Sequence, residues 1–534
     1  MFTKILNLMK KNVFYAKYVL ASLALSFLIS YCADTSYSFS FVYFVLAICI
    51  AFLLKKANGM VPYWKAVLWG MLFFLLRAPI VWALNVFPLD DYRLVILTLQ
   101  MPLNGFVLPF VWDFFCTVFL IGLLLSFLAI PFFKACVSKF SKKGTIFLIF
   151  FVSLWNAFSL YDKLPLQEYW NFVINGSPDL ELRESNFWKT NFVDADSVKI
   201  KAPLKKNLIL IIMESMENWP NDLIPEIERM ATENISFYSI DSFGGGVDIA
   251  GSKNTYCSTV AKTTGLPLLR KNRRLGPDLI RSKSIYDILH RFEYKNVFIQ
   301  GTDANFAGTK DFTLSHGIDN LYDMNNLKDK WDMDSFFRNF RSFSAGITDQ
   351  RLYDISKEIL DTLSKSLFSL TITTIETHYP YGFYDKNCLE KPESSSEESK
   401  FKATLQCASR EVYEFIEWVK KQPFYENTQI VIVGDHLFMG HFFEKDRDRR
   451  WVDIFINSAV YPKTQKRLFT SIDIAPTILE GMGFQIEGRK MGLGTSLFSD
   501  SLTLLEKMGW MKLNYEIMEL SNSIEYNQQH WDKK

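Results

Sequence analysis

The sequence predicts an α/β domain built on a largely parallel central sheet and carried behind five N-terminal transmembrane helices. Two observations predict this arrangement. Apolar residues make up 49% of the 534-residue chain and aromatic residues 16%, too much for an ordinary soluble enzyme, and the excess is concentrated before residue 162. Beyond that point, short apolar runs alternate with helical patterns, as expected of helices packed on both faces of a parallel sheet.

The five spans are the uncharged or nearly uncharged runs Tyr18 to Ala33, Tyr37 to Leu54, Ala66 to Phe87, Gly105 to Phe133 and Thr145 to Tyr161, each about as long as a membrane-crossing helix. The second follows the first too closely for the first to be a cleaved signal peptide. Basic residues set the orientation. Lys4, Lys10, Lys11 and Lys17 precede the first run, Lys55, Lys56 and Lys65 separate the second from the third, and Lys134, Lys139, Lys142 and Lys143 separate the fourth from the fifth. The alternate loops hold Asp34, Asp90, Asp91 and only Arg93. The N-terminus is therefore expected inside and everything after Asp162 outside. Arg77 and Asp113 are charges within the spans, read either as a mutually paired couple or as a lining for a lipid headgroup. The net charge of +2 says little about partners, and the lack of a basic tract argues against nucleic acid.

Residues 1–161 thus form the membrane domain, 162–203 a polar-aromatic linker, 204–500 the outer domain and 501–534 a C-terminal extension. The predicted strands are "NLILIIM" (207–213), "KNVFIQG" (295–301), "FSLTITT" (368–374), "QIVIVG" (429–434) and "VDIFIN" (452–457). Helical patterns fall at 222–232, 281–292, 349–364, 405–421 and 473–482. Cys32, Cys49, Cys116 and Cys136 lie in or beside the spans and read as packing residues. In the outer domain, Cys388 and Cys407 bracket a Ser/Glu-rich, loop-like segment, so a disulfide between them would close a flexible excursion in an oxidising compartment and leave Cys257 as a thiol.

Three strands end in chemistry. Glu214 closes the first, His378 follows the third, and Asp435 and His436 follow the fourth. Acid and imidazole groups delivered to one sheet edge from distant sequence are expected of a metal site. A nucleophile is suggested by the glycine-rich loop "FGGGVDIAGSKNTYCSTVAKTTGLPLL", where a helix starts after Asn254 and places Thr255 near its N-terminus. Thr255 fits equally well as a simple cap or first-turn residue.

The motifs "IIMES", "TYCSTVAKTTGLPL", "ANFAGTKDFTLSHGIDNLYD", "TIETHYPYG" and "GDHLFMG" occur in an order that resembles the phosphoglycerol transferase and lipoteichoic acid synthase family of the alkaline phosphatase/sulfatase superfamily. Within it the chain looks closest to the Gram-negative transferases that decorate periplasmic glucans. The resemblance covers roughly residues 205 to 500. It implies that Glu214, Thr255, Asp435 and His436 bind one divalent metal, usually Mn2+, though Mg2+ or Zn2+ would also suit, and that Thr255 is the nucleophile. It also implies that His378 contacts the transferred phosphoglycerol or assists the leaving group.

The expected donor is a phosphatidylglycerol-like lipid in the bilayer, and the expected acceptor a glycan or a glycerol phosphate. The expected location is the inner membrane, with the catalytic domain in the periplasm. Departures in "GGGVDIAGSKN" leave Thr259 and Ser258 open as nucleophiles in place of Thr255, and "WDMD" (331–334) matches the family's substrate segment only loosely. His316 is a candidate substrate contact. His441, Lys310 and Arg351 read better as exposed, and His290 and His530 as structural or disordered. A formylglycine sulfatase is disfavoured because "CSTVA" lacks the Pro and Arg such a site needs. A phosphoethanolamine transferase and a non-catalytic envelope scaffold compete with the phosphoglycerol transferase as functions for this domain.

Overall fold

A computed structural model describes residues 183–530, apart from 240–243, 270–280, 306, 331–335, 340–343, 380–381 and 440–447. The five predicted spans, with Arg77 and Asp113, lie outside the described residues, as does His441. Among the described residues no helix is long and apolar enough to cross a membrane.

Six strands form the central sheet: β1 (Asn207–Met213), β2 (Lys295–Gln300), β3 (Asn320–Tyr322), β4 (Phe368–Thr373), β5 (Thr428–Gly434) and β6 (Asp453–Ile456), in the spatial order β6-β5-β1-β4-β2-β3. All neighbours are parallel except β5 and β6. β1 is fully buried because its alternate residues feed two cores. Ile209, Ile211 and Met213 pack against α2 (Pro225–Glu233), α6 (Asp349–Leu363) and α7 (Glu397–Lys420). Leu208, Leu210 and Ile212 pack against α4 (Ile285–Arg291) and α8 (Ile474–Gly481). A strand buried on both faces reads as a continuous apolar run, which is what "LILII" is.

Two elements differ from the sequence expectation, and one strand runs against its neighbour within the largely parallel sheet that the sequence predicts. β3 has no counterpart among the predicted strands, since three residues paired at the sheet edge leave no period to read. β6 returns antiparallel beside β5. The Ser/Glu-rich segment is largely helix: Ser396 caps α7 by accepting from the Ser399 amide, so α7 begins at Glu397 rather than near 405. Cys407 therefore lies buried within α7, and its disulfide to Cys388, with Cα atoms 5.9 Å apart, ties that helix to the chain leaving β4.

Packed chain extends beyond 204–500 on both sides. Trp188 of α1 (Asn186–Asn191), Leu513 and Ile517 of α10 (Trp510–Glu519) and Tyr526 of α11 (Ile524–His530) share a core with Ala261 of α3 (Thr255–Thr264) and with Leu504 of α9 (Leu504–Met508). The Trp510 indole donates to the Asp248 carbonyl at 2.9 Å and Asn514 Oδ1 accepts from the Ala250 amide at 2.7 Å, so α10 braces the loop that leads to α3. Between α4 and α6 the chain also forms the short helix α5 (Thr309–Ser315).

Candidate metal centre and nucleophile

The parallel strands β1, β4 and β5 lie side by side and end at the same sheet edge, so whatever follows each of them converges there. Glu214 follows β1. Ser215 then takes a left-handed φ of 48°, and its amide donates to Asp435 Oδ1 at 2.6 Å. Gly434 ends β5 because a Cβ there would lie 2.0 Å from the Met216 carbonyl oxygen. That close approach lets Asp435 and His436 follow directly. The glycine-rich loop has a similar reason: a Cβ on Gly246 would fall 2.1 Å from the Trp451 ring.

Glu214, Asp435 and His436 are buried, and one ligand atom from each lies within 4.8 Å of the others. His436 Nε2 is 3.3 Å from Asp435 Oδ2 and 3.6 Å from Glu214 Oε1. His436 Nδ1 faces the Leu437 carbonyl at 2.8 Å, which assigns its proton to Nδ1 and leaves the Nε2 lone pair turned into the cluster. Asp435 Oδ1 is used by the Ser215 and His436 amides, but Asp435 Oδ2 has no hydrogen-bond partner among the described residues. Burial, reinforced by the Glu214 charge, pushes the Asp435 carboxyl up to about 7. Burial pulls the His436 ring down, yet Asp435, Glu214 and Asp248 outweigh it and hold it above its ordinary value.

Two buried carboxylates and an inward lone pair, with one carboxylate oxygen unspent, form a donor set that fits a divalent cation. Thr255 stands beside it. It is the first residue of α3, with Asn254 Oδ1 capping the Cys257 amide at 2.9 Å, and its hydroxyl donates to Glu214 Oε2 at 2.9 Å. The two remaining candidate nucleophiles are engaged elsewhere. Ser258 is buried and bonded to the Asp435 carbonyl, and Thr259 Oγ1 donates to the Thr255 carbonyl at 2.8 Å.

His378 lies half-buried after β4, with Nδ1 2.7 Å from the Tyr379 carbonyl. The same segment grips Glu214: Thr374 Oγ1 accepts from the Glu214 amide at 3.0 Å, and Thr377 Oγ1 donates to its carbonyl. His316 is placed differently from the expected substrate contact. Its ring is buried at the end of α5, with Nδ1 2.8 Å from the Phe312 carbonyl and Nε2 3.1 Å from that of Ser282, so both nitrogens face main-chain oxygens. A histidine before glycine is a turn residue here.

Two residues at the centre, Lys262 and Asp248, are absent from the set the sequence picks out. Lys262 is fully buried in α3, and burial lowers its ammonium to about 8. Asp248 accepts from the Leu437 amide at 3.1 Å beside His436, and burial raises its carboxyl. The available signal for Lys262 is its place four residues after Ser258, one turn along the same helix face.

The matched family is described as sulfatase, and the match spans residues 206–484. The chain belongs to the sulfatase family. Within this family it is similar to phosphoglycerol transferase I of Salmonella choleraesuis (strain SC-B67), 28% identical over 330 residues that make up 58% of this chain and 42% of that protein. It is also similar to phosphoglycerol transferase I of Xanthomonas campestris pv. campestris (strain B100), 29% identical over 315 residues, covering 55% of this chain and 43% of that protein. The match thus spans less than half the length of these curated relatives.

Among solved structures, the lipoteichoic acid synthase LtaP from Listeria monocytogenes aligns with a TM-score of 0.44 at 20% identity, covering 57% of this chain and 79% of that one. Streptococcus pyogenes phosphoglycerol transferase GacH, in complex with sn-glycerol-1-phosphate, aligns with a TM-score of 0.40 at 15% identity, covering 68% and 91%. In this sulfatase-family domain the helix facing the acid–imidazole cluster begins with threonine, not with a formylglycine precursor.

Behind the His378 segment lies a second buried acidic group. Asp349 accepts from the Ile375 amide at 2.9 Å and the Glu376 amide at 3.3 Å, and Glu376 Oε1 accepts from the Asp349 amide at 3.2 Å. Glu411 of α7 joins them electrostatically, and burial pushes its carboxyl up to about 9. Because the unfolded chain releases that proton near 4.5, the native state alone holds it between roughly 4.5 and 9. Stability is then greatest at low pH in this window and falls as pH rises, by at most about 1.4 kcal/mol per pH unit. We expect Glu411→Gln to flatten this slope, measured as the change in unfolding midpoint of the solubilised chain between about pH 6 and 8.5. Equal slopes in the two proteins would refute it.

Proposed function

We propose that the protein is a membrane-anchored, metal-dependent phosphoglycerol transferase that moves phosphoglycerol from phosphatidylglycerol to a cell-envelope glycan or a glycerol-phosphate acceptor. The observation that carries the reading is the Thr255 hydroxyl, 2.9 Å from Glu214 Oε2 at the start of α3 and beside two buried carboxylates and an imidazole. The relatives named phosphoglycerol transferase I support the transferred group. The five apolar runs support an anchor that keeps the domain outside the inner membrane, where a lipid donor meets a tethered site at high effective concentration.

A divalent cation, Mn2+ before Mg2+ or Zn2+, held by Glu214, Asp435, His436 and Thr255 Oγ1 would lower the hydroxyl pKa and offset charge on the non-bridging phosphate oxygens. In the first step Thr255 Oγ1 bonds to the donor phosphorus and gives up its proton along the bond to Glu214 Oε2. The bond from phosphorus to the diacylglycerol oxygen breaks. His378, as an imidazolium whose Nδ1–H stays on the Tyr379 carbonyl, would give its Nε2 proton to that leaving oxygen and be left neutral. A phosphoglycerol-threonine ester remains at the positive end of the α3 dipole. In the second step an acceptor hydroxyl oxygen bonds to the phosphorus and passes its proton to the neutral His378 Nε2, the phosphorus–Oγ1 bond breaks, and Thr255 Oγ1 takes back the proton held by Glu214.

The test is mass spectrometry of the full chain in detergent after incubation with Mn2+ and phosphatidylglycerol. The expected result is a phosphoglycerol adduct on the peptide containing Thr255, with diacylglycerol released. An adduct formed only from phosphatidylethanolamine would replace the donor. No adduct from either lipid, with metal bound, would remove the proposed intermediate.

A further inference from the structure

Lys262 has no part in the chemistry above, yet its surroundings are unusually complete. It lies two turns along α3 from Thr255 and is fully buried. Its Nζ donates to the Asp435 carbonyl at 2.6 Å, to Ser258 Oγ at 2.6 Å and to Ser471 Oγ at 3.0 Å. The ammonium therefore uses all three of its protons. Nζ also sits 4.0 Å from the centroid of the Trp451 ring, which presents its negative face to the charge. Ser258 closes a triangle by donating to the same Asp435 carbonyl.

Burying an ammonium is costly, and a methionine of similar length would fill the same space without that cost. What the ammonium adds is a directed link between two pieces of chain. One is α3, which begins with Thr255. The other is the turn after β5, whose Asp435 carboxylate and His436 ring form the cluster. The three bonds reach neutral oxygens, so Lys262 takes neither Asp435 carboxylate oxygen while fixing the main chain that aims them.

We infer that Lys262 is a positioning residue that locks the nucleophile helix to the Asp435–His436 turn, so that the threonine hydroxyl and the metal ligands are set as one body. This rests on the metal-centre reading given above. The inference makes a prediction of opposite sign to plain electrostatics. A positive charge near a cation site repels the cation, so removing it would tighten metal binding if charge were its main effect. If position is its main effect, removing it loosens binding.

The experiment is Mn2+ titration of the full chain in detergent, followed by electron paramagnetic resonance, comparing wild type with Lys262→Met. The methionine keeps the packing on Trp451 and removes the three donors. We expect at least about a 10-fold weaker Mn2+ affinity, within the range for lost support of metal ligands. A broadened bound-Mn2+ spectrum should accompany it, because the ligands no longer hold one arrangement. Unchanged or tighter binding with an unchanged spectrum would overturn the inference.

Should Lys262→Met fail to fold, Ser471→Ala removes one of the three acceptors and leaves the ammonium in place. It is expected to weaken Mn2+ binding about 2- to 5-fold, roughly the worth of one net hydrogen bond, and an unchanged affinity there would overturn the inference equally. A wild type that binds no Mn2+ would instead overturn the metal centre, and this inference with it.

Discussion

Thr255→Ala is expected to lower phosphoglycerol transfer by at least about 1,000-fold, the scale of losing an activated nucleophile, with the fold intact. Alanine is a good helix former, and the cap on α3 comes from Asn254, which is untouched. Thr255→Ser keeps a hydroxyl in the same place and should retain activity within about 10-fold of wild type. Turnover of phosphatidylglycerol to diacylglycerol by the two variants is the measurement. A fully active alanine variant would move the nucleophile to another residue, and the structure makes the neighbours poor substitutes. Ser258 Oγ is committed to Lys262 and the Asp435 carbonyl, and Thr259 Oγ1 points back to the Thr255 carbonyl.

Asp435→Asn should separate function from stability. Asparagine can still accept from the Ser215 and His436 amides through its oxygen, as Asp435 Oδ1 does. Its NH2 would then replace the unspent Oδ2 and could donate to the His436 Nε2 lone pair, 3.3 Å away. A buried charge is removed from beside Glu214 and a hydrogen bond is gained. The metal-free variant should therefore unfold at a higher temperature than metal-free wild type, by an amount worth about 1 kcal/mol or more. Its Mn2+ affinity should fall by at least about 100-fold, since a charged ligand is lost, and transfer with it. In excess Mn2+ the order of stabilities reverses, because only wild type gains from binding. Thermal unfolding with and without Mn2+ reads both effects, and a metal-free variant less stable than wild type would contradict the account of Asp435.

Much of the sheet is legible in the sequence because its strands are buried on both faces and carry little but Leu, Ile, Val and Phe. "NLILIIM", "KNVFIQ" and "TQIVIVG" announce themselves, whereas Asn320–Tyr322 is too short and polar to do so. The start of α7 is hidden because Ser and Glu suit loops and helix first turns alike, and only the Ser396 cap separates them. Glu214, Thr255, Asp435 and His436 can be picked out because each sits at a strand end or helix start, and the structure brings them together. Lys262 cannot. A lysine in a helix usually faces water, and its burial here depends on Trp451 and Ser471, both about 200 residues downstream. His316, a candidate substrate contact in the sequence, instead has both ring nitrogens on main-chain oxygens that no local pattern announces.

The central place of β1 has a consequence for how the chain is made. Its neighbours β4 and β5 lie 161 and 221 residues further on, read from Asn207 to Phe368 and to Thr428. At a synthesis rate of about 5–20 residues per second, roughly 8–30 s pass before the first partner exists, and roughly 11–44 s before the second. Throughout that interval the most apolar strand of the domain has two bare edges. A nascent chain in this state is prone to pair with others of its kind, so its yield should depend on holdase chaperones more steeply than its final stability would suggest.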